Sequence, residues 1–151
     1  MNCPLPEAAG PSRFSDGAKL IGTNRRRVLA VCGDGGFMMN SQELETATRL
    51  GLNLVVRILR DNAFGMIRWK QEAEGFADWG LTFGNPDFVR YAEANGAKGW
   101  RIERADGLVL ALEAAFKAGG VHLVAVPADY SENIRVLGDE LRDRMPAVAS
   151  A

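Results

Sequence analysis

The hydrophobic positions of the chain form short continuous runs, separated by segments with a helical period. Residues 28–32 are apolar without alternation, and residues 54–59 repeat this pattern with a single arginine. Unbroken apolar runs of this length are typical of strands that are buried on both faces of a sheet. A short strand over residues 99–103 and a further apolar run over residues 121–126 complete four predicted strands, and Pro127 ends the last one.

The segments between these runs predict helices, because start and stop signals flank them. Asn40, with Glu43 three residues later, is a capping-box signal for a helix that ends at Gly51. Asn85 is expected to cap a helix that runs to Gly96. The other predicted helices cover residues 66–73, 106–118 and 132–145, while residues 74–84 are irregular. This alternation predicts a three-layer α/β fold, with a mostly parallel sheet and helices on both faces.

Composition places the chain among ordinary globular domains. Its 151 residues are 47% hydrophobic and 25% charged, with a formal net charge of −1. This balance gives no reason to expect a nucleic-acid partner, and no apolar run approaches the ~20 residues that span a bilayer, so no membrane partner is expected. Residues 1–16 contain three prolines and no period, which predicts a disordered or atypical tail before one domain over residues 17–151. Cys32 lies in an apolar run, so we expect it to be a reduced thiol in the core. A reduced cysteine favours a cytoplasmic protein.

The loop after the first predicted strand suits an anionic ligand. It reads Gly33-Asp34-Gly35-Gly36, and glycines let a ligand approach the backbone closely. Loop N–H groups, together with the start of the next helix near Asn40, can bind phosphate oxygens. Asp34 would repel a phosphate unless a cation lay between them, and Mg²⁺ takes both carboxylate and phosphate oxygens.

A second carboxylate lies one strand–helix–strand unit further along the chain. Asp61 follows the second predicted strand, 27 residues after Asp34, so both acids are expected at the same edge of the sheet. Asn62 and Gly65 allow a tight bend that exposes backbone carbonyls such as that of Ala63. A Gly-Asp-Gly sequence alone is also a common turn, but its pairing with an acid at the next strand end favours a metal site.

These loops also carry a resemblance to a known family. The segment GDGGFMMNSQELETATRLGLNLVVRILRDNAFGM is similar to the signature of thiamine-diphosphate enzymes, which begins with GDG and ends near an Asn-Asn pair. Three further segments, MNSQELETA, FGNPDFVRYAEANGAKG and VPADYSEN, resemble acetolactate synthases. The aspartate at position 61 resembles their catabolic, flavin-independent branch. The resemblance covers about residues 17–151 and implies the thiamine-diphosphate-binding fold.

The resemblance implies roles for particular residues. Asp34 matches the metal-binding aspartate of the signature, Asp61 matches its second metal ligand, and Ala63 matches the position whose carbonyl completes the protein ligands of Mg²⁺. The whole set implied to bind thiamine diphosphate is Gly33, Asp34, Gly35, Gly36, Phe37, Asp61, Ala63, Phe64, Gly65 and Met66. No catalytic residue is implied in this chain, because family members carry the activating glutamate in another domain.

The activity implied for a complete enzyme is condensation of two pyruvates to 2-acetolactate with loss of CO₂. Family members place the cofactor between two domains, so a homo-oligomer or a separate pyrimidine-binding domain is the expected partner. We expect a truncated or split enzyme that is inactive alone. Biosynthetic members carry a tryptophan where Lys70 stands here, one residue after Trp69, which leaves the substrate open between pyruvate and another 2-oxo acid.

Other functions remain open at this point. Another thiamine-diphosphate-dependent decarboxylase or lyase would carry the same signature, and a non-catalytic fragment would bind the cofactor without turnover. A generic nucleotide-binding domain would be indifferent to thiamine diphosphate. The only histidine, His122, and the pair Asp129-Tyr130 are expected to be structural. We also expect Asp34→Ala to abolish cofactor binding and to leave the fold intact.

Overall fold

The computed structural model describes residues 27–130 and residue 132. Its four strands are β1 (Val28–Gly33), β2 (Leu54–Arg60), β3 (Lys98–Arg101) and β4 (Val121–Pro127). Its five helices are α1 (Asp34–Met39), α2 (Glu43–Arg49), α3 (Gly65–Ala73), α4 (Phe88–Ala94) and α5 (Asp106–Ala118). The predicted tail and, apart from Glu132, the predicted helix over residues 132–145 lie outside these residues.

All four strands pair in parallel, in the order β1-β2-β4-β3. Strand β2 lies between β1 and β4, and it pairs with both over its whole length apart from Arg60, which pairs only with β4. Because parallel strands share one direction, the carboxyl ends of β1, β2 and β4 lie side by side. Asp34, which directly follows β1, and Asp61, which directly follows β2, therefore lie at the same edge of the sheet, as the sequence predicts.

Alternating residues of the central strands form two separate core layers. Leu54, Val56 and Ile58 of β2 pack in one cluster with Phe37 of α1 and Phe88 of α4. The opposite face of the sheet, with Val55 and Val124, packs against α5 through Ala115 and its neighbours. Helices thus cover both faces of the sheet, and the prediction of a three-layer α/β fold is confirmed.

The glycine-rich segment differs from the sequence prediction, because it is helical. Helix α1 begins at Asp34, directly after β1, where a loop up to the cap Asn40 was expected. Asn40 instead ends α1, and its backbone N–H donates to the carbonyl oxygen of Phe37 at 3.2 Å. The residue before α2 is Gln42, which makes no side-chain cap hydrogen bond, so the predicted capping box is wrong.

The start of α4 was also predicted at the wrong residue. Asp87 is its N-cap, and the carboxylate of Asp87 accepts hydrogen bonds from the backbone N–H groups of Val89 and Arg90. These hydrogen bonds hold the pKa of Asp87 below its ordinary value, and nearby Arg101 adds to the effect. Asn85, the predicted cap, is left free to make a different contact, described below.

Two residues of the sheet have the structural roles that the sequence predicts. His122 is fully buried: its Nδ1 accepts from Trp100 Nε1 at 2.9 Å, and its Nε2 lies 2.9 Å from the carbonyl oxygen of Gly119. Cys32 is a free thiol that packs against the core, and burial, followed by the charge of Asp34, raises its pKa to about 12. Among the described residues, no helix is long and apolar enough to span a membrane.

Candidate functional site

A cavity of about 260 Å³ opens at the carboxyl edge of the sheet, where the ends of β1 and β2 meet. Nine of the ten residues predicted to bind the cofactor line it: Gly33, Asp34, Gly35, Gly36, Asp61, Ala63, Phe64, Gly65 and Met66. Ile67 and Tyr130 also line it, and the sequence did not indicate either. The cavity is smaller than the roughly 300–1,000 Å³ typical of ligand sites, as expected if these residues form only part of a site.

The tenth residue, Phe37, lies elsewhere. Its side chain is fully buried in the core, with edge-to-face contacts to Phe88 and Tyr91 at ring-centroid distances of 5.7 and 5.9 Å. The side chain of Phe37 therefore fixes α1 on the sheet and does not line the cavity. Lys70 is exposed on α3, and neither Lys70 nor Trp69 lines the cavity.

The Asp34 carboxylate is buried and heavily hydrogen-bonded. Asp34 is only 1% exposed. Oδ1 accepts from the backbone N–H of Gly35 at 2.8 Å. Oδ2 accepts from the backbone N–H groups of Asp61 at 3.2 Å and Asn62 at 2.8 Å, and from the side-chain amide of Asn85 at 2.5 Å. Four donors therefore converge on one carboxylate and fix its orientation.

Asp61 lies against Asp34 at the end of the neighbouring strand. Its Oδ1 accepts from the backbone N–H of Ala63 at 3.2 Å, which aims the carboxylate into the cavity. The pKa of Asp61 is raised, first by burial and then by the charge of Asp34 and a hydrogen bond with the Asp34 side chain. The backbone N–H of Asp61 donates to Asp34, and both residues line the same cavity, so the two carboxyl groups lie close together. A pair of facing carboxylates is repulsive unless a proton or a cation lies between them.

The donor set fits a divalent oxygen-binding cation such as Mg²⁺. Mg²⁺ is usually held by one or two carboxylates together with phosphate oxygens and water. Within residues 27–130, no group of three or more His, Cys, Asp or Glu side chains could hold a metal, so the carboxylate pair must rely on other oxygens. One such atom is Asn85 Oδ1, which is buried beside Asp34 without a hydrogen-bond partner in the described part of the chain. An unsatisfied buried oxygen indicates room for a water molecule or an ion.

At two glycines of the site, there is no room for the Cβ atom of a larger residue. A Cβ on Gly35 would lie 2.8 Å from the ring of Phe64, and a Cβ on Gly65 would overlap Asp61 Oδ2 and come within 3.0 Å of the ring of Tyr130. At Gly36 a Cβ would meet nothing within 4 Å, so the space beside it is open to a ligand. Gly65 therefore permits the close packing of the second carboxylate, while Gly36 borders the empty part of the cavity.

Tyr130 lines the cavity beside Gly65. It follows β4, the strand next to β2, and its ring lies against Gly65. Tyr130 lines the same cavity as Asp34 and Asp61. Burial raises the pKa of Tyr130, and the charges of Asp61 and Asp34 add to this. Tyr130, which the sequence predicts to be structural rather than catalytic, thus also lines the candidate site. A strand-end position beside the two acids was the one sequence signal that could have indicated it.

Comparison with known protein families gives a match to the larger part of the chain. The family described as "Thiamine pyrophosphate enzyme, C-terminal TPP binding domain" matches residues 13–126. The chain is 38% identical over 137 residues to the acetolactate synthase of Bacillus subtilis. The matched segment covers 91% of this chain and 23% of that protein. It is 41% identical over 114 residues to the catabolic acetolactate synthase of Raoultella terrigena, which covers 76% of this chain and 20% of that protein.

Solved structures give the same fold. The 4-hydroxybenzoylformate decarboxylase of Rhodococcus jostii RHA1, which is thiamine-diphosphate-dependent, superposes with a TM-score of 0.71 and 26% identity, over 80% of this chain and 23% of that one. The benzoylformate decarboxylase of Polynucleobacter necessarius superposes with a TM-score of 0.68 and 25% identity, over 78% and 22%. The chain spans about a fifth of the length of these relatives.

Proposed function

The chain belongs to the thiamine pyrophosphate enzymes, as their C-terminal TPP-binding domain, and from this premise we propose that it anchors the diphosphate of thiamine diphosphate through Mg²⁺. The observation that carries the proposal is the position of Asp34 and Asp61 at adjacent strand ends, where the backbone N–H of Asp61 donates to Asp34 Oδ2 at 3.2 Å and both residues line one cavity. A cation between them removes their repulsion and leaves coordination positions for phosphate oxygens.

The residues of the chain divide this task between them. Asp34 and Asp61 hold the cation by side-chain oxygens, and Ala63 offers its backbone carbonyl. The open space beside Gly33 and Gly36 receives the diphosphate. Phe64 and Met66 border the same cavity from the second loop and limit the access of water to it.

The cofactor brings the reactive chemistry. When bound, thiamine diphosphate supplies the carbon nucleophile that decarboxylation of a 2-oxo acid requires, and the protein orients it. No residue lining the cavity in the described part of the chain is assigned a catalytic role. The activating glutamate would come from a separate pyrimidine-binding domain, which fits a cavity that is open on one side.

For the complete enzyme we propose acetolactate synthase activity, with pyruvate or another 2-oxo acid as substrate. Curated relatives named acetolactate synthase support this substrate class. The alternative is a decarboxylase of aromatic 2-oxo acids, favoured by the two solved structures that superpose on the chain. Product analysis separates them: pyruvate gives acetolactate in the first case, and benzoylformate gives benzaldehyde in the second. A chain that binds the cofactor but turns over neither substrate, with or without the partner domain, would instead be a non-catalytic fragment.

The cofactor assignment is tested by ligand-dependent thermal unfolding of the full chain. A ligand that binds only the folded state stabilises it by RT ln(1 + [L]/Kd). With Mg²⁺ present, thiamine diphosphate should raise the unfolding midpoint, whereas thiamine without its diphosphate should not. An equal rise with ADP would favour a generic nucleotide-binding domain and contradict the proposal.

A further inference from the structure

The side chain of Asn85 connects the two loops of the site, although its position in the sequence suggested only a helix cap. Its Nδ2 donates to Asp34 Oδ2 at 2.5 Å and to Asn62 Oδ1 at 2.9 Å. These two acceptors fix which way the amide points, since a flipped amide would set its oxygen against a carboxylate. Asn85 lies 51 residues from Asp34 and 23 from Asn62, so this bridge is a tertiary contact.

The bridge determines which oxygen of Asp34 is free. A carboxylate oxygen has about two lone-pair directions, and Oδ2 already accepts from three donors, those of Asp61, Asn62 and Asn85. Oδ1 accepts only from the backbone N–H of Gly35. A cation can therefore approach Oδ1 and not Oδ2. Removal of the Asn85 donor would leave Oδ2 less occupied and the carboxylate freer to rotate.

The same amide also steadies the second loop. Asn62 has φ of 57°, a left-handed conformation that is uncommon for a residue other than glycine. Three contacts hold it there: its N–H donates to Asp34 Oδ2, its carbonyl accepts from the N–H of Phe83, and its side-chain oxygen accepts from Asn85. Asp61 directly precedes this residue, so its direction depends on the conformation of Asn62.

We propose that Asn85 is a positioning residue for the cation: its amide occupies Asp34 Oδ2 and holds Asn62, so that Asp34 Oδ1 and the Asp61 carboxylate face one ion. The inference rests on the proposed function, because it assumes that the carboxylate pair binds a cation. It assigns Asn85 no contact with the reacting atoms. Groups that stand behind metal ligands in this way typically contribute about 10–100-fold to metal affinity.

The test uses the full chain with Asn85→Ala and a matched control, Asn95→Ala. Asn95 is also half-buried, and its side chain also donates a hydrogen bond, here a single one to the carbonyl oxygen of Tyr91 at 2.8 Å, but it lies at the opposite end of α4. Mn²⁺ affinity, measured by electron paramagnetic resonance in the presence of thiamine diphosphate, should fall about 10–100-fold in Asn85→Ala and stay unchanged in Asn95→Ala.

A second readout separates positioning from a general structural role. At saturating Mn²⁺, the affinity of Asn85→Ala for thiamine diphosphate should return to the wild-type value, because excess metal compensates for weakened ligands. A loss that persists at all metal concentrations would mean that the site has collapsed and would overturn the inference, as would an unchanged Mn²⁺ affinity. If the wild-type chain itself binds no Mn²⁺ with thiamine diphosphate, the proposed function fails and the inference fails with it.

Discussion

Replacement of Gly65 by alanine tests the geometry of the carboxylate pair with a single methyl group. The added Cβ would overlap Asp61 Oδ2 and lie 3.0 Å from the ring of Tyr130, so Asp61 must turn away. Gly65 is the first residue of α3 and is not among the glycines with positive φ, so alanine fits its backbone. The methyl group costs about 1–3 kcal/mol of folding free energy as overpacking, and the loss of glycine returns about 0.4–1 kcal/mol.

The net destabilisation of Gly65→Ala is therefore about 0–2.6 kcal/mol, which lowers the unfolding midpoint of a chain of this size by up to about 10 °C. Because Asp61 is displaced, we also expect the Mg²⁺-dependent affinity for thiamine diphosphate to fall about 10–100-fold. Circular dichroism measures the first effect and titration calorimetry the second. Gly107→Ala is the control: it also lies at a helix start, where its Cβ would have only an ordinary contact of 3.5 Å with Ile102. Wild-type affinity in Gly65→Ala would refute this account of the site.

Three further changes probe the charge of the site, the buried histidine and the packing of the sheet. Asp34→Asn keeps the shape of the carboxylate and should reduce Mg²⁺-dependent cofactor affinity, measured by calorimetry, by at least about 10–100-fold. Asp34→Ala should in addition lower the free energy of unfolding by about 1–3 kcal/mol, because it leaves buried N–H donors without an acceptor. This revises the expectation of an intact fold, and an unchanged unfolding midpoint would contradict it. Burial lowers the pKa of His122 below the ordinary histidine value of about 6.5. The free energy of unfolding should therefore be highest above about pH 6.5 and decrease as the pH falls below it, because the unfolded chain takes up the proton first. Urea unfolding at pH 7.5 and 5.5 should show this decrease, and a decrease that persists in His122→Gln would assign it to another group. Gly99→Ala should lower the free energy of unfolding in urea by about 1–3 kcal/mol, because the new Cβ would lie 2.8 Å from the backbone carbonyl oxygen of Val89. The control is Gly84→Ala, whose Cβ would meet nothing within 4 Å and which should leave the free energy of unfolding unchanged. Equal effects of the two substitutions would contradict the packing argument.

The sequence predicted the layers of the fold and the meeting of Asp34 with Asp61 for a simple physical reason. Strands buried on both faces leave unbroken apolar runs, and parallel connections return every strand end to the same edge. Two acids that each follow such a run must therefore lie near each other. The irregular segment over residues 74–84 and the glycine stops of the helices followed from equally local signals.

The helix starts and the partners of the site could not be predicted in the same way. Asn85 and Asp87 are both good cap residues, and only the tertiary contact with Asp34 decides that Asn85 turns to the site while Asp87 caps α4. Phe37 lies beside the glycine segment in sequence, but helix α1 turns its side chain into the core. Tyr130 comes to the cavity because β4 pairs with β2, a strand order that no local pattern encodes.

Titration calorimetry of thiamine diphosphate into the full chain, with Mg²⁺ and then with EDTA, tests the bridging cation most directly. We expect weak binding, because this chain provides only part of the cofactor site, with a dissociation constant no weaker than about 1 mM, or about 4 kcal/mol. Chelation of the metal should abolish that binding, and Asn in place of Asp34 should reproduce the effect of chelation. Equal binding with and without the metal would contradict the account, as would the absence of binding at millimolar cofactor with Mg²⁺ present.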